Sequence, residues 1–111
     1  MITRKELLTL DYYPGYKVSE VLGYVKGSTV QTKNIGRDIG ASLKSIVGGE
    51  IKGYSEMMES ARKLATERLL KEADDMGADA VIGFRIQTSG VMAGAAEIIA
   101  YGTAVKLTKD A

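Results

Sequence analysis

The fold is decided by residues 77–107, which read GADAVIGFRIQTSGVMAGAAEIIAYGTAVKL. Apolar residues recur at every second position in Ala80–Gln87 and again in Ala95–Leu107, and this period predicts two β-strands. Thr88–Gly94 contains two glycines and is predicted to form the turn between them. The segment therefore predicts an antiparallel hairpin, followed by a polar tail over residues 108–111.

A long amphipathic helix is predicted before the hairpin, from about Tyr54 to Met76, with Gly77 as its stop. At ~1.5 Å per residue it is ~35 Å long, enough to cross a sheet. Thr66 falls on its polar side, Leu70 is an isolated apolar residue there, and Arg68 and Glu72 lie near the middle of the apolar stripe. That stripe is predicted to contain Tyr54, Met57, Met58, Ala61, Leu64, Ala65, Leu69 and Met76.

Shorter elements are predicted in the first half of the chain from periodicity and turn signals. They are a short strand at Leu7–Leu10, a Pro-Gly turn in Asp11–Gly15, a strand at Tyr16–Lys26 bounded by Gly27, a second short strand at Thr29–Lys33, and a helix over Ile35–Val47. A chain of 111 residues has room for one domain only. Residues 1–111 are therefore predicted to form a single α+β domain, with residues 1–15 as an N-terminal segment. A small antiparallel sheet packs on the long helix and the shorter one.

Both faces of the predicted hairpin are apolar, although one long helix covers only one face of a sheet. In the last strand Ile99 and Tyr101 point to one side, and the small residues Ala100 and Gly102 point to the other. Small residues permit close approach of another backbone, so we expect their side to contact a second copy of the chain. The alternative is that the N-terminal segment or the first helix covers the second face.

Composition excludes several classes of function. The chain has no Cys and no His, so Ser-His-Asp and Cys-His triads and thiolate–imidazole zinc sites are excluded. The formal net charge is +1, without the basic excess expected of a nucleic-acid-binding protein. The longest uncharged stretch, Ile86–Ala96, is well short of the ~18 residues that suggest a membrane span. A cytoplasmic protein with no nucleic-acid or membrane partner is expected.

Two glycine-containing segments supply candidate binding residues. Gly36–Gly40 fails the phosphate-loop patterns, and small residues four apart on a helix indicate tight packing. Its charged pair is the alternative signal, as an interface ion pair or an anion contact near a helix N-terminus. Gly48–Gly53 lies between the two predicted helices, where two successive glycines indicate positive φ or close approach of another backbone. A tight interhelical turn is the plain alternative. With the small side of the last strand, the ligand or interface candidates are Arg37, Asp38, Gly48, Gly49, Glu50, Tyr54, Ala100 and Gly102.

Carboxylates cluster around the end of the long helix, where they oppose the helix dipole. A hard cation such as Mg²⁺ or Ca²⁺ would offset that cost through all-oxygen ligands. The residues are Glu72, Asp74, Asp75 and Asp79, and their spacing matches no EF-hand. Metal binding through Asp74, Asp75 and Asp79 is kept as an alternative to an ordinary solvated helix end.

An ordered set of short motifs carries a family resemblance over residues ~9–107. The motifs are Pro14-Gly15-Tyr16, Val21-Leu22-Gly23, the Arg37-Asp38 helix, Ile46-Val47-Gly48-Gly49-Glu50, the run from Gly77 to Gly83, and Tyr101-Gly102-Thr103-Ala104-Val105. The chain closely resembles the YbjQ-like family of uncharacterised bacterial and archaeal proteins. The resemblance implies a subunit related to the dodecin type, a ring-like homo-oligomer that is often a pentamer, and a common label as a heavy-metal-binding domain. It implies no catalytic residue.

Three hypotheses for function follow. The leading one is a non-catalytic homo-oligomeric module that binds a small molecule between subunits and needs no cofactor. The second is a metal-binding protein with carboxylate ligands, since the usual soft and borderline ligands are missing. The third is an enzyme whose acid–base groups are carboxylates, Lys and Tyr.

Overall fold

The computed structural model describes residues 6–31, 52–92 and 95–110. They form β1 (Tyr16–Gln31), α1 (Lys52–Asp75), β2 (Ala80–Met92) and β3 (Ala95–Lys109). The three strands make one antiparallel sheet in the order β1-β3-β2. This confirms the α+β class with a helix packed on an antiparallel sheet. The predicted helix over Ile35–Val47 lies outside the described residues.

β1 is one continuous strand, so the predicted break at Gly27 is wrong. Gly27 pairs with Ala100 inside the ladder, and pairing continues to Gln31 opposite Ala96. A Cβ at Gly27 would collide with the backbone of α1 at Ala65 and Leu69. The glycine is there because the helix crosses the strand closely at this point. Thr29 accordingly belongs to β1 and does not begin a second strand.

The hairpin of β2 and β3 is longer than predicted. Thr88 pairs with Ile98 and Met92 with Ala95, so most of the predicted turn lies in the ladder. At the other end Lys109 pairs with Tyr16, so Thr108 and Lys109 of the predicted polar tail are also strand. Turn-forming residues and polar residues were outweighed here by backbone pairing to a long neighbouring strand.

The bounds of α1 agree with the predicted helix, and Gly77 follows its end with φ of +78°. The buried stripe is rotated relative to the prediction. Leu70 is in the core, whereas Leu64 and Met76 are more than one-third exposed. Over residues 58–75, the part of α1 whose side chains the structure describes, the buried residues are Ala61, Ala65, Thr66, Leu69, Leu70 and Ala73.

The rotation also places Arg68 and Glu72 outside the packed stripe, where both are exposed. Arg68 Nη1 donates a hydrogen bond to the Ser28 carbonyl oxygen of β1 at 2.6 Å. The guanidinium therefore finds its partner at the sheet without being buried.

The face of the sheet under α1 is the small-residue face. Ala100 and Ala104 of β3 are fully buried with Val25 of β1 and Leu69 of the helix in one cluster. Gly102 is buried too, and a Cβ there would lie 2.7 Å from Val81 Cγ1. The prediction that the small side contacts a second subunit is wrong. α1 itself covers this side, because alanines of β3 and alanines of α1 let the helix and the sheet approach closely.

The N-terminal segment follows the outer edge of β2. The predicted strand at Leu7–Leu10 is reduced to a single parallel bridge between Leu7 and Val81. Leu8 N donates to the Val81 oxygen at 2.9 Å, and Gly83 N donates to the Leu10 oxygen at 2.7 Å. The turn at Pro14 and Gly15 is confirmed, with φ of +81° at Gly15.

Part of the second face is covered by the same segment. Tyr13 packs on a small cluster of Ala80, Ile82 and Val105. The alternative of coverage by residues 1–15 is thus realised at one end of the sheet. Beyond it the face carries Tyr24, which is 60% exposed, and Tyr101, with ring centroids 6.5 Å apart.

Candidate functional site

An open groove of about 560 Å³ runs between α1 and the outer part of β2. α1 lies mainly over β1 and β3, which leaves the outer part of β2 uncovered on the helix side. Ile86 shows this best: it pairs with the buried Ala100, yet it is itself 38% exposed. The groove is lined by Leu7, Glu59, Arg62, Lys63, Thr66, Phe84 and Ile86.

The two walls of this groove differ in chemistry. Leu7, Phe84 and Ile86 supply an apolar wall from the N-terminal segment and β2. The helix wall is charged, and Arg62 Nη2 donates to Glu59 Oε2 at 2.9 Å.

Thr66 completes the helix wall. Its Oγ1 donates to the Arg62 carbonyl oxygen at 2.8 Å, so its hydroxyl proton is already committed. An amphipathic molecule matches walls of this kind better than a purely polar or purely apolar one.

A local irregularity of β2 shapes the apolar wall. The register shifts between Ile82 and Arg85, and Gly83 has φ of +64°. The extra residue is a β-bulge, which re-aims side chains along the strand. Phe84 packs on the core cluster under α1, while Arg85 Nη1 donates to the Thr9 oxygen at 3.0 Å.

β1 provides a second candidate surface, because it is an edge strand. β3 is its only sheet neighbour among the described residues, so one side of its backbone faces away from the sheet. Val21 is 65% exposed and Tyr24 60% exposed on this strand. A long edge strand with exposed apolar side chains is a template for pairing with another chain.

Most of the predicted binding residues lie outside the described residues. Arg37, Asp38, Gly48, Gly49 and Glu50 fall there, and their candidacy stays a prediction.

Of the other three predicted residues, the structure describes the burial of two. Tyr54 lies in the first turn of α1, outside the part of the chain whose side chains are described. Ala100 and Gly102 are buried on the face of the sheet that α1 covers, so neither is available to a second subunit.

The carboxylates near the end of α1 turn to separate partners. Asp79 Oδ2 accepts a hydrogen bond from Leu107 N at 2.8 Å, and Asp75 Oδ2 accepts one from Lys71 Nζ at 3.2 Å. Within residues 6–31, 52–92 and 95–110, no three Asp or Glu side chains lie close enough to share a metal ion. The predicted acidic cluster therefore acts locally: Asp79 ties the end of β3, and Asp75 pairs along the helix.

The groove could not be predicted from sequence because its residues come from three distant segments. Helical periodicity predicts only that Lys63 lies on the polar face of a helix, and strand periodicity only that Ile86 lies on an apolar face of a strand. Nothing in either pattern shows that α1 stops short of the outer part of β2. The glycine next to Phe84 was the available signal, since an isolated Gly in a strand indicates a bulge.

No helix in the part of the chain that the structure describes is long and apolar enough to cross a membrane. Comparison with solved structures finds a protein of unknown function from Pediococcus pentosaceus, described as a member of the DUF74 family. Its TM-score is 0.56 at 18% identity, with 92% of this chain and 96% of that chain covered. This likeness supports the α+β fold and nothing further.

Sequence comparison gives the family. A family model described as "Putative heavy-metal-binding" matches residues 6–108. A UPF0145 protein of Halalkalibacterium halodurans is 67% identical over 104 residues, covering 94% of this chain and 98% of its own. A UPF0145 protein of Thermotoga maritima is 58% identical over 103 residues, covering 93% of this chain and 97% of its own. The predicted resemblance is confirmed, and the chain belongs to the YbjQ-like family, together with these UPF0145 proteins.

Proposed function

We propose that the protein is a non-catalytic binding module that works as a cytoplasmic homo-oligomer, a ring of five subunits that holds a small molecule between them. One observation carries the assembly: β1 is a 16-residue edge strand with Val21 and Tyr24 exposed. The ring and the number five rest on the family resemblance. The assembling surface differs from the one predicted from sequence, because the small side of β3 is already covered.

A head-to-tail contact between two different edges supports a closed ring better than an isologous dimer. The N-terminal segment bonds to β2 at Val81, Gly83 and Phe84. Beyond Phe84, no hydrogen bond within the described residues occupies the outer edge of β2. The edge of β1 from one copy could therefore pair with the outer part of β2 from the next.

Magnitudes indicate that side chains alone would not hold such a ring. Full burial of an apolar side chain contributes about 1.5–3 kcal/mol, and Val21 and Tyr24 are still 65% and 60% exposed, so burying the remainder of both contributes about 2–4 kcal/mol. Association costs about 4–15 kcal/mol in lost freedom. Backbone pairing along the edge has to supply the remainder, at about 0.5–1.5 kcal/mol for each hydrogen bond.

Light scattering during size exclusion tests the assembly. We expect the parent to have several times the 11.9 kDa of one chain, and Val21→Lys to give a smaller species. Leu64→Lys is the matched control, since Leu64 is 41% exposed on α1 and the same charge is added there. A parent that is monomeric at micromolar concentration contradicts the proposal.

The heavy metal of the family description is a poor match for this chain. Thiolate and imidazole ligands suit such ions, and the sequence has neither Cys nor His. Two of the carboxylates near the end of α1, Asp75 and Asp79, are engaged with Lys71 and Leu107. Titration calorimetry with Zn²⁺, Cd²⁺ or Cu²⁺ is therefore expected to show no stoichiometric micromolar site. A stoichiometric micromolar site in the parent would overturn this expectation, and its loss in Asp75→Asn or Asp79→Asn would assign the metal to these carboxylates.

A further inference from the structure

We propose that the groove between α1 and β2 binds a small amphipathic monoanion, a carboxylate with an aliphatic chain. The groove is built by a single chain, so the inference does not depend on the proposed ring. Its volume of about 560 Å³ lies within the range of roughly 300–1,000 Å³ that is usual for small-molecule sites.

The apolar wall accounts for the aliphatic part of the ligand. Ile86 and Phe84 belong to the helix side of the sheet, where their neighbours on β3 are buried under α1. α1 does not extend over Ile86, which leaves 38% of its surface exposed next to Leu7. A hydrocarbon chain along this wall would cover apolar surface that the helix leaves open on that face.

The helix wall accounts for the charge of the ligand. Arg62 and Lys63 contribute two positive charges and Glu59 one negative charge, so the wall is net cationic. The Arg62 guanidinium has five N–H donors, and the bond to Glu59 uses one. Lys63 Nζ has no hydrogen-bond acceptor among the residues that the structure describes.

The charges of the groove disfavour a cationic ligand. A cation bound against the apolar wall would face Lys63 and Arg62 on the helix wall, and Glu59 is already paired with Arg62. A carboxylate that reaches Lys63 leaves the Glu59–Arg62 pair intact. An anionic head group is therefore favoured over a cationic or neutral one.

Octanoate, octan-1-ol and octylammonium are matched probes, titrated into ¹⁵N-labelled full-length protein. We expect saturable octanoate shifts for amides of residues 59–66 and 84–86, with a Kd on the order of 1 mM from ligand size. The alcohol and the ammonium should bind more weakly. Absence of saturable shifts at those residues, or equal binding of all three probes, would overturn the proposal.

Two single substitutions separate charge recognition from a general effect on the fold. Lys63→Gln should weaken octanoate binding roughly two- to fivefold, the range of an exposed ion pair. Lys71→Gln is its control, because it removes the same charge from the same helix outside the groove. Glu59→Gln should tighten octanoate binding by a similar factor, since it removes the negative charge and frees Arg62.

An unchanged octanoate affinity in both Lys63→Gln and Glu59→Gln would show that binding does not depend on the charges of the groove, and would overturn the assignment of an anion. The mass of each sample is measured in parallel, so that the test of the binding site is independent of the test of the ring. A monomer that binds octanoate contradicts the assembly and supports the binding site. An oligomer that does not bind octanoate supports the assembly and contradicts the binding site.

Discussion

Gly27 shows how one residue sets the distance between the helix and the sheet. Its place in the ladder opposite Ala100 puts it directly below Ala65 and Leu69. The atoms that a Cβ would meet belong mostly to the helix backbone, which cannot move without lifting α1. From sequence the same glycine indicates a strand end, because a ladder with no side chain to pack is weak. Only the position of α1 shows that Gly27 marks a close approach of the helix and not the end of a strand.

Gly27→Ala should lower the free energy of unfolding by about 3 kcal/mol, the upper range of overpacking, because α1 has to move outward. Urea denaturation at one protein concentration measures the change, since an oligomer's stability depends on concentration. Lys26→Ala is the matched control: it places the same side chain one residue earlier, at an exposed position. Equal stability of the two variants would mean that α1 does not cross β1 at this point.

Thr29 carries a polar atom that the core does not satisfy. The residue is 4% exposed, and its Oγ1 has no hydrogen-bond partner among the described residues. A buried hydroxyl without a partner costs about 1–3 kcal/mol. Thr29→Val keeps the shape and should raise the free energy of unfolding by about 1 kcal/mol, measured by thermal denaturation at fixed concentration. Destabilisation would contradict the assignment of an unsatisfied hydroxyl.

At the scale of the elements, the end of β3 depends on Asp79. Its carboxylate accepts from Leu107 N at 2.8 Å, and its own N–H donates to the Val105 oxygen at 2.9 Å. The residue thereby fixes where β2 starts against β3. Asp75, four residues earlier, makes only an exposed pair with Lys71 along the helix.

Asp79→Ala should cost about 1–2 kcal/mol, because the backbone N–H of Leu107 loses a charged acceptor. Asp75→Ala should cost less than about 0.5 kcal/mol, since an exposed pair on one helix contributes little and the carboxylate opposes the dipole. Hydrogen exchange gives a local measurement: the Leu107 amide should exchange faster in Asp79→Ala only. Similar losses in both variants would point to a shared role for the acidic residues.

The elements themselves could be predicted from sequence where one period dominates. Two long strands after Gly77 and one long helix before it follow from periods of 2 and 3.6. The rotation of α1 could not be predicted, because Leu64 and Leu70 are equally apolar and only the packed sheet chooses Leu70. The length of the hairpin was missed for a similar reason: Gly90 indicates a turn locally, yet it pairs with Ala96 in the ladder.

At the scale of the molecule, the sheet is longer than the helix that covers it. β1 has 16 residues and is ~50 Å long at ~3.3 Å per residue, whereas the 24 residues of α1 span ~36 Å. A helix with its side chains is ~10 Å wide and neighbouring strands lie ~4.8 Å apart, so α1 covers about two strands and leaves the outer part of β2 open beside Ile86. The open edge of β1 has a separate cause, since β1 is an outer strand of the described sheet.

This geometry gives a prediction about backbone protection along β1. In an antiparallel edge strand, alternate N–H groups point toward the neighbouring strand and the others point outward. Outward N–H groups of an isolated chain bond only to water and exchange quickly. If the edge pairs with a neighbouring copy, those amides become protected while the pairing to β3 is unchanged.

We therefore expect hydrogen exchange of the assembled parent to show protected amides at consecutive residues of β1, both those whose N–H points toward β3 and those whose N–H points outward. In Val21→Lys the outward set should lose protection as the assembly dissociates, and the set facing β3 should stay protected because the fold is intact. Leu64→Lys should keep the parent's pattern, since its added charge lies on α1. An oligomer of confirmed mass whose outward β1 amides exchange quickly would show that the subunits meet through another surface.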